Sequence, residues 1–136
     1  MTSSLPLILL SAFFLAGCAT SYESSNILTG GFSETMLGPD VARVVFRGNS
    51  STSKERAQDL ALLRAAELAL KAGFPYFTVL EETNEARRST PSGSDISISM
   101  PKTGILVQFL KEKSPGTLAF DCEFLMRTLK EKYKIK

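Results

Sequence analysis

The chain contains no histidine and no tryptophan, and it has only two cysteines. It also lacks an apolar run of the ~20 residues that a membrane-spanning helix needs. The missing histidine excludes imidazole acid/base catalysis, Ser-His-Asp and Cys-His triads, and most zinc sites. An excess of one charge is missing too. The 16 Lys+Arg against 14 Asp+Glu leave a net charge of +2, which offers nucleic acid no basic footprint. Neither a Gly-x-Ser-x-Gly elbow, a P-loop, a Gly-x-Gly-x-x-Gly fingerprint nor a Cys-x-x-Cys pair occurs. What remains is 136 residues, 43% hydrophobic and 22% charged, which suits one globular domain.

The apolar residues that open the chain are an address. Leu5 to Leu15 form a run of about eleven residues interrupted by Pro6 and Ser11, the length of a secretory signal core. Met1 to Ser4 carry no Lys or Arg, so the positive region of the signal is weak. The run ends in Leu15-Ala16-Gly17-Cys18, which matches the bacterial lipobox of an aliphatic residue, two small residues and Cys. The resemblance implies cleavage between Gly17 and Cys18, with diacylglycerol on the Cys18 sulfur and a fatty acyl group on the new amino terminus. One acyl chain holds a protein only marginally, whereas two or three give stable attachment. Ala19 stands where Asp commonly signals inner-membrane retention in Gram-negative lipoproteins. That rule points to the outer membrane, facing the periplasm.

Residues 18–30 read as the lipidated Cys and a flexible tether, rich in Ser, Thr and Asn, and residues 31–136 read as a single domain. Gly31–Met36 and Val41–Arg47 read as two strands joined at Gly38-Pro39-Asp40, a hairpin signal. Thr52 and Glu55 have capping-box spacing ahead of a helix that runs through Lys71. Leu62, Leu63, Ala66, Ala69 and Leu70 fall on one face of it. Glu67 and Lys71 are spaced as an i,i+4 pair, and Gly73 is placed for a left-handed cap.

Phe74 to Glu81 reads as a strand with Pro75 at its start or on an edge. Thr83 to Asp95 is polar, contains Pro91 and Gly93, and reads as a mobile loop with Arg87 and Arg88 as a small basic point. Ile96, Ile98 and Met100 alternate with Ser97 and Ser99, which predicts a strand with one buried and one wet face that ends at Pro101. Gly104 to Glu112 reads as a further strand. After the Ser114-Pro115-Gly116 turn, Asp121 caps a last helix, with Phe120 and Leu125 as a hydrophobic staple. Cys122, Leu125, Met126, Leu129 and Tyr133 share its apolar face. The predicted architecture is α+β: a small, mostly antiparallel sheet of about five strands, with one long and one terminal helix on one face.

Candidate chemistry is sparse. Asp59 lies near the apolar face of the long helix and Arg64 away from it, and both read as structural rather than ligand-binding. The aromatic cluster of Phe74, Tyr76 and Phe77 reads as core. Glu81, Glu82 and Glu85, or Asp121 and Glu123, could supply paired carboxylates for glycosidase chemistry, although such acids are far more often solvated charges. The four lysines of 130–136 suit the end of a helix dipole and read as solvated. Cys122 is the only thiol left once Cys18 is acylated, so no intrachain disulfide forms, and it reads as a buried, inert residue. An intermolecular disulfide is the alternative.

Gly31-Phe32-Ser33-Glu34, Phe46-Arg47-Gly48-Asn49, Glu55-Arg56, Asp59, Leu63-Arg64-Ala65-Ala66-Glu67-Leu68, Gly73-Phe74-Pro75-Tyr76-Phe77 and Ala119-Phe120-Asp121 occur in order. This set resembles a family of small proteobacterial envelope lipoproteins. Phe32 and Phe74 stand where that family usually has Tyr, and Cys122 where it has Ala. The resemblance implies an outer-membrane lipid anchor and a small α+β domain, and it brings no catalytic residues. The expectation is a non-enzymatic envelope module that binds a protein or a cell-wall component such as peptidoglycan. Arg87 and Arg88 are its possible partner contact. No metal and no cofactor is expected beyond the covalent lipid on Cys18. The alternatives are an envelope stress sensor and a carboxylate-type hydrolase.

Overall fold

A computed structural model describes residues 22–24, 30–90 and 92–136. Residues 1–17 and Cys18, the proposed signal and lipid site, lie outside the described residues. Strands β1 (Gly31–Met36) and β2 (Val41–Arg47) precede helix α1 (Lys54–Lys71). Strands β3 (Tyr76–Ser89), β4 (Ile98–Leu110) and β5 (Phe120–Asp121) follow, and helix α2 (Cys122–Tyr133) closes the chain. The strands form one antiparallel sheet in the order β1-β2-β4-β3-β5, the α+β fold read from the sequence.

Alternation builds the core. Ala42, Val44 and Phe46 of β2, Ile105, Val107 and Phe109 of β4, and Phe77 of β3 all point to one face of the sheet and are buried. Helix α1 covers that face, and α2 packs against α1 and β5. The contact stripe of α1 is made mostly of small residues: Ala57, Ala61, Ala65, Ala66 and Ala69 are buried with Leu60 and Leu63. Leu62 and Leu70, placed on the apolar face by periodicity, are only partly buried. Cys122 and Leu129 bury the inner face of α2, with Leu125, Met126 and Tyr133 beside them. Complete burial of Phe46, Phe77 and Phe109 contributes roughly 1.5–3 kcal/mol each.

The helix ends follow local chemistry, with one change. Asp121 caps α2 by accepting from the Phe124 amide at 2.9 Å, and Gly73 takes φ +84° just after α1. The cap of α1 is Ser53 rather than Thr52: the Ser53 Oγ accepts from the Arg56 amide at 3.0 Å. Thr52 is buried, and its hydroxyl donates to Asn49 Oδ1 at 3.1 Å. The methyl group of threonine favours that inward position. Glu55, released from the box, pairs with Lys132 of α2. Glu67 does not pair with Lys71 but turns to Arg64 and Lys130.

The largest difference lies at β3 and β4. Thr83 to Ser89 is strand, not loop, and the segments read as two strands around Pro101 are one. Only residues 90–97 connect β3 to β4. Pro101 does not end the strand because its carbonyl accepts from Gly48 at 2.8 Å, on the β2 side. Its nitrogen faces the same side, just beyond the end of β2, so no bond to β3 is lost. Continuity through Pro101 also reverses the expected faces. Pro101 and Thr103 are buried on the helix side. Ile98 and Met100 therefore lie half-buried on the open face, while Ile96 precedes the strand and is exposed. Leu80 is the extra residue of a β-bulge between Val79 and Glu81, and it is exposed. Beyond the end of β2, β3 and β4 continue as a two-stranded arm.

Candidate functional site

The segment read as a tether meets the domain at β1. Tyr22 lies 5.1 Å from Phe32, ring centroid to centroid. The Glu23 carbonyl accepts from the Phe32 amide at 2.8 Å, and Ser24 bridges to Phe32. These three residues are thus docked on the edge of the sheet. The Tyr22 hydroxyl donates to Glu67 of α1, and Glu67 also pairs with Arg64 at 3.0 Å and Lys130 at 3.5 Å.

Arg64 organises this corner. Helical spacing places it away from the apolar face. Instead its guanidinium lies 4.3 Å from the Phe32 ring and donates to both oxygens of Glu34, at 2.7 and 3.3 Å. A planar guanidinium can lie against a ring while its fork donates to both oxygens of one carboxylate, a combination an ammonium does not supply. The hydrogen bonds to Glu34 hold Arg64 firmly charged despite its partial burial. Burial, and then the Glu67 acceptor, push the Tyr22 phenol well above its ordinary range.

A second cluster joins α1 to α2. Asp59 accepts from Lys132 at 2.8 Å and from the Tyr133 hydroxyl at 2.6 Å. Asp59, followed by Glu55, raises the Lys132 ammonium above its usual range. Arg56 lies 4.8 Å from the Tyr133 ring. Asp59 therefore ties α1 to α2.

The third arrangement is a cleft of about 460 Å³ between the β2–α1 loop and the arm, lined in part by Ser50, Thr52, Lys54, Asn84, Pro101 and Thr103. The buried Thr103 hydroxyl donates to Asn84 Oδ1 at 2.8 Å. The Asn84 amide donates to Glu82 at 2.6 Å, as does Gln58. These two donors, Asn84 first, hold the Glu82 carboxyl below its ordinary range. The cleft offers hydroxyl and amide groups for hydrogen bonding, and its Thr103 hydroxyl is committed to an amide rather than a base.

The structure separates the other residues singled out from the sequence. Arg87 and Arg88 are adjacent on a strand, so they point to opposite faces of the arm and do not form one basic point. Glu81 and Glu85 share the open face and Glu82 the helix face, so the three acids do not converge, and Glu85 pairs with Lys102 at 3.1 Å. Asp121 is used as a cap. Cys122 is buried and free. Burial, helped by Asp121, pushes its thiol up to about 11. Among the described residues, no group of three or more His, Cys, Asp or Glu is placed to hold a metal, and no helix is long and apolar enough to cross a membrane. Tyr22, Asn84 and Thr103 were not singled out beforehand. The signal for Tyr22 was its being an aromatic residue in an otherwise Ser/Thr-rich stretch.

No family model matches the chain, and no curated protein and no solved structure matches it either.

Proposed function

We propose that the chain is a lipid-anchored envelope module, non-enzymatic and facing the periplasm from the outer membrane, that presents its sheet to a protein or cell-wall partner. The observation that carries this reading is the docking of Tyr22 on Phe32 and Glu67, four residues after the lipobox cysteine. Four residues span at most about 14 Å. An acylated Cys18 therefore holds the β1 and Arg64 corner beside the lipid surface. Engagement of Asp59, Glu82, Glu85 and Asp121 in ion pairs, hydrogen bonds and a cap supports a structural rather than catalytic use of the acids.

The test is metabolic labelling of the full chain with a clickable fatty acid, followed by separation of inner and outer membranes. The expected result is label on the wild type, none on Cys18→Ser, and sedimentation with the outer membrane. Label retained on Cys18→Ser overturns the reading.

A further inference from the structure

The outer edge of β3 is long and open. β5 pairs only with Tyr76 and Phe77. Among the described residues no backbone hydrogen bond reaches the edge from Glu81 to Arg88. The direction of its backbone groups follows from the neighbouring ladder. The Pro101 carbonyl and Phe109 amide of β4 both bond toward β2, so alternate residues Lys102, Gly104 and Met100 bond toward β3. Their partners Glu85, Thr83 and Arg87 are thereby used. Glu82, Asn84, Ala86 and Arg88 turn their N–H and C=O groups outward.

The side chains along this edge are acidic at one end and basic at the other, reading Glu81-Glu82-Thr83-Asn84-Glu85-Ala86-Arg87-Arg88. Glu81, Arg87 and Arg88 have no ion-pair partner among the described residues. A strand of this pattern complements itself when turned end for end.

We infer that this edge pairs with the same edge of a second copy of the chain, antiparallel about a two-fold axis at Asn84. Continuing the sheet requires opposed residues to share a face, which leaves registers centred on a residue rather than between two. Centring on Asn84 sets Glu81 against Arg87 of the other copy, twice by symmetry, with both side chains on the open face. It also sets Glu82 diagonal to Arg88 on the helix face. Centring one residue later sets Glu85 against itself, a like-charge contact, and separates Glu81 from Arg87. In the favoured register, Asn84 and the Glu82–Ala86 pairs exchange backbone hydrogen bonds, matching the outward groups. β5 lies past the end of the neighbouring strand, since, allowing for the Leu80 bulge, Phe77 would face Thr90 of the other copy, one residue beyond the end of β3.

The test uses two differently tagged full-length chains, co-produced, solubilised in mild detergent and captured through one tag. Wild-type chains capture each other. Glu81→Arg captures itself at least about tenfold less, and so does Arg87→Glu, because each reversal creates two like-charge contacts. Co-produced with each other, the two variants recover capture to within about twofold of wild type, since every opposed pair is again of opposite sign. That recovery also shows that both variants are folded. The milder Glu81→Gln and Arg87→Gln variants give a smaller loss in the same direction. Absence of wild-type capture overturns the inference and leaves the edge to other strands. Capture unaffected by reversal, or lost in the singles without recovery in the mixture, overturns it as well. None of these outcomes depends on whether Cys18 carries lipid.

Discussion

The Tyr22 hydroxyl donates to Glu67, a residue forty-five positions further along the chain, while the Tyr22 ring lies on Phe32. Removing only the hydroxyl with Tyr22→Phe is expected to cost about 1 kcal/mol, because Glu67 keeps Arg64 and Lys130. Tyr22→Ala loses the ring contact as well and is expected to cost roughly a further 1 kcal/mol. Urea unfolding measures both. Equal stability of the Phe and Ala variants would show that the ring contributes nothing to docking.

Cys122 gives a pH signature. Its folded value of about 11 lies above its ordinary 9.0, so the thiol's contribution to stability is fully present below about pH 9. It is lost as pH rises toward and through 11. Cys122→Ala should lower stability at neutral pH by roughly 1 kcal/mol yet flatten this part of the profile. A thiol reagent at pH 8 should label the native protein far more slowly than the unfolded one, and a non-reducing gel should show no disulfide-linked dimer through Cys122.

Two glycines in the sheet region respond differently to alanine. A Cβ on Gly48 would sit 2.6 Å from the Cβ and 2.7 Å from the Cγ2 of Thr52, a buried branched side chain with no room to retreat. Gly48→Ala is expected to destabilise by about 1–3 kcal/mol. At Gly104 the close atom is the Thr83 Oγ1 at 2.8 Å, and that exposed hydroxyl can rotate away. Gly104→Ala should cost under about 1 kcal/mol. Thermal midpoints compare the two directly.

Sorting between membranes tests Ala19, the residue after the proposed lipid attachment site. Ala19→Asp is expected to move the labelled protein from the outer to the inner membrane fraction without altering its acylation, as judged by density-gradient separation. An Ala19→Asp variant that still sediments with the outer membrane would remove the sorting role of residue 19 and leave the anchor intact.

The elements visible in the sequence are those specified by neighbours in the chain: the Asp121 cap, the Gly73 stop, the alternation of Val44 and Phe46, and the alanine-rich helix. Thr83 to Arg88 gave no such signal because it is exposed on both faces and carries no apolar alternation. It is strand because β4 pairs with it and Thr103 and Lys102 reach across to Asn84 and Glu85. Pro101 looked like a stop because a missing donor matters only on the side where a partner strand needs it. The candidate surfaces were less legible than the fold for a related reason. Tyr22 docks on residues from two distant segments, Phe32 and Glu67, and periodicity does not register that kind of contact.

Pro101 has a consequence for how far the sheet can grow. A strand that tries to add on the β4 side of the arm meets a position with no N–H and a carbonyl already taken by Gly48. At the far edge, Glu23 and Ser24 occupy the Phe32 position of β1. Once two copies share the β3 edge, the long open template is consumed, and the other edge is the short β1, partly covered at Phe32. Such an assembly closes at two and does not propagate into a fibre.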